Sequence, residues 1–151
     1  MLDIGSPAPD FDLEDADGNR VRLEDFRGKS AVVLMFYPAD DTPGCTKQLC
    51  AARDDYDRYR AANVAVFGVN PGSAGGHKKF TEKYGLKTPL LLDNGGKVAR
   101  AYDALYPLPL LTIVNRTVVG IDAQGIVRFS ERGIPSTDKI LAALSAPAAA
   151  G

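Results

Sequence analysis

Two continuous apolar runs constrain this chain more than any other feature: Ala31 to Tyr37 (A-V-V-L-M-F-Y) and Val64 to Val69, separated by one helix-length stretch. Uninterrupted β-branched and aromatic runs belong to strands covered on both faces. The stretch between them, from Pro43 to about Ala62, carries Leu49, Ala52, Tyr56 and Tyr59 at helical spacing and predicts the longest helix. Strand, helix, strand is the seed of an α/β sheet.

The remaining segments extend that seed. Phe11 to Leu13 and Val21 to Leu23 flank the turn Asp17-Gly18-Asn19 and predict a small N-terminal β-hairpin. Asn70-Pro71-Gly72-Ser73 ends the second buried strand, His77 to Tyr84 reads as a helix stopped by Gly85, and Leu90 to Leu92 as a third strand. Gly96 to Tyr102 is another helical stretch. Thr112 to Ile121 and Ile126 to Ser130, on either side of Asp122-Ala123-Gln124-Gly125, predict an antiparallel pair. Ser136 to Leu144 reads as a last helix, and 146–151 as a frayed tail. The order predicts one α/β domain over residues 1–151, with a central mixed β-sheet flanked by helices. A thioredoxin-like fold fits it, and the pattern alone is also compatible with a flavodoxin-like sheet.

Composition narrows the partners. At 151 residues the chain buries enough core to need no disulfide or metal staple. Eighteen basic against nineteen acidic residues, a formal charge of -1, give no electrostatic reason to expect nucleic acid or an anionic membrane. No segment approaches the roughly 18 continuous apolar residues of a bilayer span. The N-terminal residues lack the basic start and apolar run of a secretory signal, so a cytoplasmic location is expected. There Cys45 and Cys50 should rest as thiols.

The chemistry lies between Pro38 and Cys50. Thr42 followed by Pro43 reads as a helix N-cap and first helical position, which puts Cys45 in the first turn. Unpartnered backbone N–H groups and the helix dipole favour an anion there. A thiol with the ordinary pKa of about 8.5 is only a few per cent ionised at neutral pH, so a bias toward thiolate multiplies the nucleophile. Taken alone, Cys45 reads as a small buried apolar residue, the commoner fate of a cytosolic cysteine. Thr42 is readable as a plain cap, Pro38 as a strand terminator, and Arg116 as an exposed strand arginine. His77, the only histidine, sits in a basic, surface-type stretch, and two cysteines with one histidine fall short of a structural zinc site. No cofactor or metal is expected.

Pro38-x-x-x-Thr42-x-x-Cys45 resembles the active-site signature of the peroxiredoxins, thiol peroxidases of thioredoxin fold. The continuation Thr-Pro-Gly-Cys-Thr-Lys-Gln-x-Cys is similar to the bacterioferritin-comigratory-protein or Q-type branch. Gly5 to Phe11, Gly28-Lys29, His77 to Phe80, Leu91 to Asp93 and Asn115-Arg116 match that branch in order. The resemblance implies that Cys45 is the peroxidatic cysteine and Cys50 the resolving one, with Pro38, Thr42 and Arg116 completing the site. It implies reduction of hydrogen peroxide and organic hydroperoxides through a sulfenic acid and a Cys45-Cys50 disulfide. Recycling by thioredoxin or a glutaredoxin-like dithiol, an antioxidant role, and a monomer or weak dimer go with it. Two departures stand out: Gly72 to Gly76 is unusually Gly-rich, and Gly120 replaces an apolar strand residue.

Two other classes compete. A disulfide reductase of the same fold needs C-x-x-C, and position 48 is Gln48. A non-catalytic binding module would leave Cys45 no faster toward peroxide than free cysteine.

Overall fold

The computed structural model describes residues 1–145, so the predicted tail at 146–151 lies outside the described residues. Strands β1 (Asp12–Glu14) and β2 (Arg20–Arg22) form the N-terminal antiparallel hairpin. The central sheet contains β3 (Ala31–Phe36), β4 (Val64–Asn70), β5 (Leu90–Leu92), β6 (Thr117–Ile121) and β7 (Val127–Arg132), in the order β5-β4-β3-β6-β7. β3 runs parallel to β4, and β4 to β5, while β6 lies antiparallel to both β3 and β7. The mixed sheet and its helices make a thioredoxin-like α/β fold, and the antiparallel β6 and β7 decide against the flavodoxin-like sheet that the element order left open.

The period of two along each buried strand divides the core. Val32, Leu34 and Phe36 of β3 join Phe67 and Val69 of β4 on one face, under Val98, Ala99 and Tyr102. Val33 and Met35, with Val66, Val118 and Phe129, meet Ala52, Tyr59 and Ile140 on the other. Both faces are therefore covered, which is why these strands carry no polar alternation.

The predicted long helix is two: α1 (Pro43–Asp54) and α2 (Tyr56–Ala61). Asp55 between them leaves the helical conformation, at φ −97° and ψ 10°, and its carboxylate accepts from the Thr137 hydroxyl at 2.6 Å. Thr137 opens the last helix, α5 (Thr137–Ser145), so the break lets α2 follow the sheet while α5 docks beside it.

Helix α3 (Ala74–Tyr84) starts three residues before the predicted His77, because Ser73 Oγ caps it by accepting from the Gly76 N–H at 3.1 Å. It stops where predicted, at Gly85 in the left-handed conformation (φ 60°). Helix α4 (Lys97–Ala101) is shorter than predicted: the Asp93 carboxylate accepts from the Val98 and Ala99 N–H groups, both at 2.9 Å, and fixes its first turn. Strand β6 begins five residues later than the predicted Thr112. Residues ahead of it pair locally instead, Tyr106 N–H to the Ile113 carbonyl at 2.9 Å and Asn115 N–H to that of Ala104 at 2.8 Å. Gly120 has its own reason: a Cβ there would lie 3.1 Å from Phe129 Cβ and 3.3 Å from Leu144 Cδ2, so α5 fills the space an apolar side chain would need.

Candidate active site

The carboxyl end of β3 delivers the chain into a loop, Tyr37 to Thr42, and then into α1. Thr42 occupies the N-cap position with extended backbone (φ −96°, ψ 154°) and Pro43 follows it into the first turn, as the dipeptide predicts. The expected side-chain cap is not made. Thr42 Oγ1 donates instead to the Ala39 carbonyl at 3.1 Å, closing the loop on itself and leaving the oxygen's lone pairs free. Cys45, in the first turn, is fully buried, packed with Tyr37, Leu49 and Phe80. Cys50 is half-buried, and both are free thiols on one continuous helix.

Arg116 comes from across the sheet, from the residue before β6. Its Nη2 donates to Cys45 Sγ at 3.1 Å and its Nη1 to Gln48 Oε1 at 2.7 Å. The reading of Arg116 as an exposed strand arginine is thereby corrected: it is half-buried and aimed at the thiol. A guanidinium cannot shed its proton and offers its donors in a planar fork, so it supplies a fixed positive charge at the sulfur. Gly44 gives it room, since a Cβ there would sit 3.0 Å from Arg116 Nη2. Gln48, itself buried, faces Arg116 with its carbonyl oxygen and leaves Nε2 without a partner.

Pro38 ends β3 and is exposed; its carbonyl accepts from Asn70 Nδ2 at 2.9 Å, and Tyr37's carbonyl accepts from the same nitrogen at 2.8 Å. Asp41, in the left-handed conformation (φ 56°), accepts from Lys83 Nζ at 2.8 Å and from the Tyr84 hydroxyl at 2.7 Å. Hydrogen bonds from Lys83 and Tyr84 hold its carboxyl below the usual carboxylate range.

One site-adjacent expectation is overturned. His77 is not a surface residue but is fully buried, with Nδ1 2.6 Å from Asp40 Oδ2. The lysines beside it, Lys78 and Lys79, point the other way around the helix, while His77 and Phe80 share the inward face. That spacing of three was the signal in the sequence that marks His77 as buried. Gln48, Asp40 and Asn70 carried no comparable signal, because each owes its role to a partner distant in the chain.

Among the described residues no cluster of three or more His, Cys, Asp or Glu side chains could hold a metal, and no helix is long and apolar enough to cross a membrane.

A buried thiol in the first turn of a helix, with an arginine donating to its sulfur on a thioredoxin-like sheet, is the arrangement of cysteine-dependent peroxidases. Residues 4–130 match the model of the AhpC/TSA family, and the chain belongs to that family. It is 42% identical over 148 residues to chloroplastic peroxiredoxin Q of Oryza sativa subsp. japonica, covering 93% of this chain and 67% of that protein. The crystal structure of peroxidoxin BcpB from Mycobacterium tuberculosis superposes with a TM-score of 0.88 at 32% identity, over 99% of this chain and 100% of that one. A bacterioferritin comigratory protein from Xanthomonas campestris, described for its alkyl peroxide reduction activity, gives 0.82 at 25% identity, over 95% of this chain and 96% of that one.

Proposed function

We propose that the chain acts as one peroxiredoxin domain in which Cys45 is the peroxidatic thiol and Cys50 resolves it. Cysteine-dependent peroxidase chemistry with an antioxidant role comes with the family. The observation that carries the assignment of Cys45 is the Arg116 guanidinium on its sulfur, 3.1 Å away, at the start of α1.

The Cys45 thiolate attacks one oxygen of a hydroperoxide. An S–O bond forms as the O–O bond breaks, the leaving oxygen departs with the bonding pair and takes a proton as water or an alcohol, and Cys45 becomes a sulfenic acid. Arg116 and the first-turn N–H groups stabilise the charge that moves from sulfur to the departing oxygen. Thr42 Oγ1, whose own proton is directed at Ala39, accepts from the hydroperoxide O–H. Pro38 contributes by turning the chain out of β3 into the loop that carries Thr42. The Cys50 sulfur then attacks the Cys45 sulfur, forming S–S and releasing the sulfenic oxygen as water. An external dithiol, thioredoxin or a glutaredoxin-like protein, returns both thiols by exchange. Hydrogen peroxide and alkyl hydroperoxides are the substrate class, the latter on the likeness to the Xanthomonas protein. A reducing compartment such as the cytoplasm supplies the dithiol, and one chain supplies every residue named, so a monomer suffices.

Steady-state turnover with thioredoxin tests the division of labour. Cys45→Ser should lose peroxide reduction, and Cys50→Ser should keep the first oxidation while losing turnover. Equal turnover by wild type and Cys50→Ser would overturn the resolving role.

A further inference from the structure

The loop between β3 and α1 is held by a polar cluster, part-buried at Asp40 and buried at Tyr37 and His77, that the chemistry above does not use. Asp40 spends both carboxylate oxygens inside the protein: Oδ1 accepts from the Tyr37 hydroxyl at 2.7 Å, and Oδ2 lies 2.6 Å from His77 Nδ1. The other ring nitrogen of His77, Nε2, is 3.3 Å from the Leu91 carbonyl on β5. Burial first, and then the Asp40 charge, push the Tyr37 hydroxyl far above the ordinary phenol range, so it remains a donor.

The Gly-rich stretch after β4 makes room for this cluster. A Cβ on Gly72 would lie 2.6 Å from Asn70 Oδ1 and 3.3 Å from His77 Cε1, and one on Gly76 would lie 3.2 Å from Asp40 Oδ2. Two of the glycines that depart from the family pattern are thus the ones whose side chains would strike the Asp40 and His77 neighbourhood. Asn70 reinforces the same loop from β4 through its bonds to the Tyr37 and Pro38 carbonyls.

We propose that Asp40 and His77 form a positioning clamp, anchored on α3, that fixes the loop delivering Thr42 and the first turn of α1 to the peroxide. The two residues touch neither sulfur nor substrate. They act by holding the residues that do, so their loss should misplace Thr42 and the N–H groups relative to Arg116, which approaches from the opposite side of the sheet order. Displacements on the order of 1 Å in such a site cost about 10²-fold in rate.

This inference rests on Cys45 being the reacting thiol. The test compares two reactions of the reduced protein, each read at Cys45 by mass spectrometry: oxidation by hydrogen peroxide, which needs the aligned donors, and alkylation by iodoacetamide, which does not. His77→Leu should slow the peroxide reaction about 10- to 100-fold and alkylation much less. His77→Asn, whose amide nitrogen occupies the place of Nδ1, should restore most of the peroxide rate. Tyr37→Phe should give a smaller loss of the same kind. A wild-type peroxide rate in His77→Leu, equal losses in both reactions, or no rescue by His77→Asn would each overturn the clamp. Should His77→Leu fail to fold, the wild-type protein decides. As its only histidine, His77 gives a single set of imidazole signals. Those signals must show a protonated, hydrogen-bonded Nδ1, and a ring protonated on Nε2 alone contradicts the proposal. If wild type shows no Cys45-dependent peroxide reaction, the peroxidatic assignment itself fails, whatever the imidazole signals show.

Discussion

Arg116 joins two residues of the same helix turn: its Nη2 donates to Cys45 Sγ at 3.1 Å while its Nη1 donates to Gln48 Oε1 at 2.7 Å. Gln48 thereby fixes the plane of the fork, and the fork holds a positive charge against the sulfur. Removing a comparable donor from a charge-stabilising site costs about 10²- to 10³-fold. Arg116→Ala should lower the second-order rate with hydrogen peroxide by that much. Arg116→Lys should recover part of it, because the charge returns without the fork. Stopped-flow oxidation of the three reduced proteins reads both effects, and unchanged rates in Arg116→Ala would remove Arg116 from the chemistry.

Gly44→Ala should separate activity from stability. The added Cβ would meet Arg116 Nη2 at 3.0 Å, the far end of a flexible side chain that can move aside. Alanine also favours helix over glycine by up to about 1 kcal/mol. The expected outcome is an unchanged or raised urea midpoint with a clearly slower peroxide reaction. A lower midpoint at full activity would contradict the steric reading.

Legibility followed sequence distance. β3, β4 and the Thr42-Pro43 helix start were readable because a continuous apolar run and a cap dipeptide are local signals. The break at Asp55 was not, since Leu49, Ala52, Tyr56 and Tyr59 keep one helical period across it and the cause is a bond to Thr137, far along the chain. Cys45 and Arg116 became legible together only through resemblance, because no local rule brings a residue before β6 onto α1. His77 misled because its neighbours Lys78 and Lys79 are basic, although Phe80 three residues on marks its face as inward.

Acid should weaken the turn between β6 and β7 through Asp122. Burial pushes its carboxyl up, but the Ile126 N–H, Arg128 and the Gln124 N–H outweigh it and hold the carboxyl below the usual range. Asp122 Oδ1 accepts from Gln124 N at 2.9 Å and Ile126 N at 3.0 Å, and Oδ2 from Arg128 Nε at 2.7 Å. A carboxyl depressed in the folded state stabilises fully above its unfolded pKa of about 3.9, and that contribution is lost as pH falls through the folded value. Asp122→Ala should therefore cost about 1 to 3 kcal/mol at neutral pH. Urea unfolding at neutral and acid pH checks it: the gap between wild type and variant should narrow in acid, and a constant gap would contradict the account.

Disulfide formation should open the start of α1. Residues five apart on an α-helix have Cα atoms roughly 8.6 Å apart, beyond the roughly 7 Å that a disulfide spans. Cys45 and Cys50 stand on the unbroken α1, Pro43–Asp54, so bonding requires at least one turn to unwind. Its entry is tied to α3 by the bonds from Lys83 and Tyr84 to Asp41. Amide exchange across 43–52 should be faster in the oxidised protein. Equal protection, with the Cys45-Cys50 bond confirmed by mass spectrometry, would contradict the opening.

The assignment of Cys45 as the attacking thiol is tested most directly by one single-turnover experiment. Reduced Cys50→Ser is mixed with one equivalent of hydrogen peroxide, and the product is trapped by a sulfenic-acid reagent and mapped by mass spectrometry. The account predicts consumption orders of magnitude faster than by free cysteine and a single trapped sulfenic acid, on Cys45. Peroxide consumed no faster than by free cysteine, or no adduct on Cys45, would contradict it.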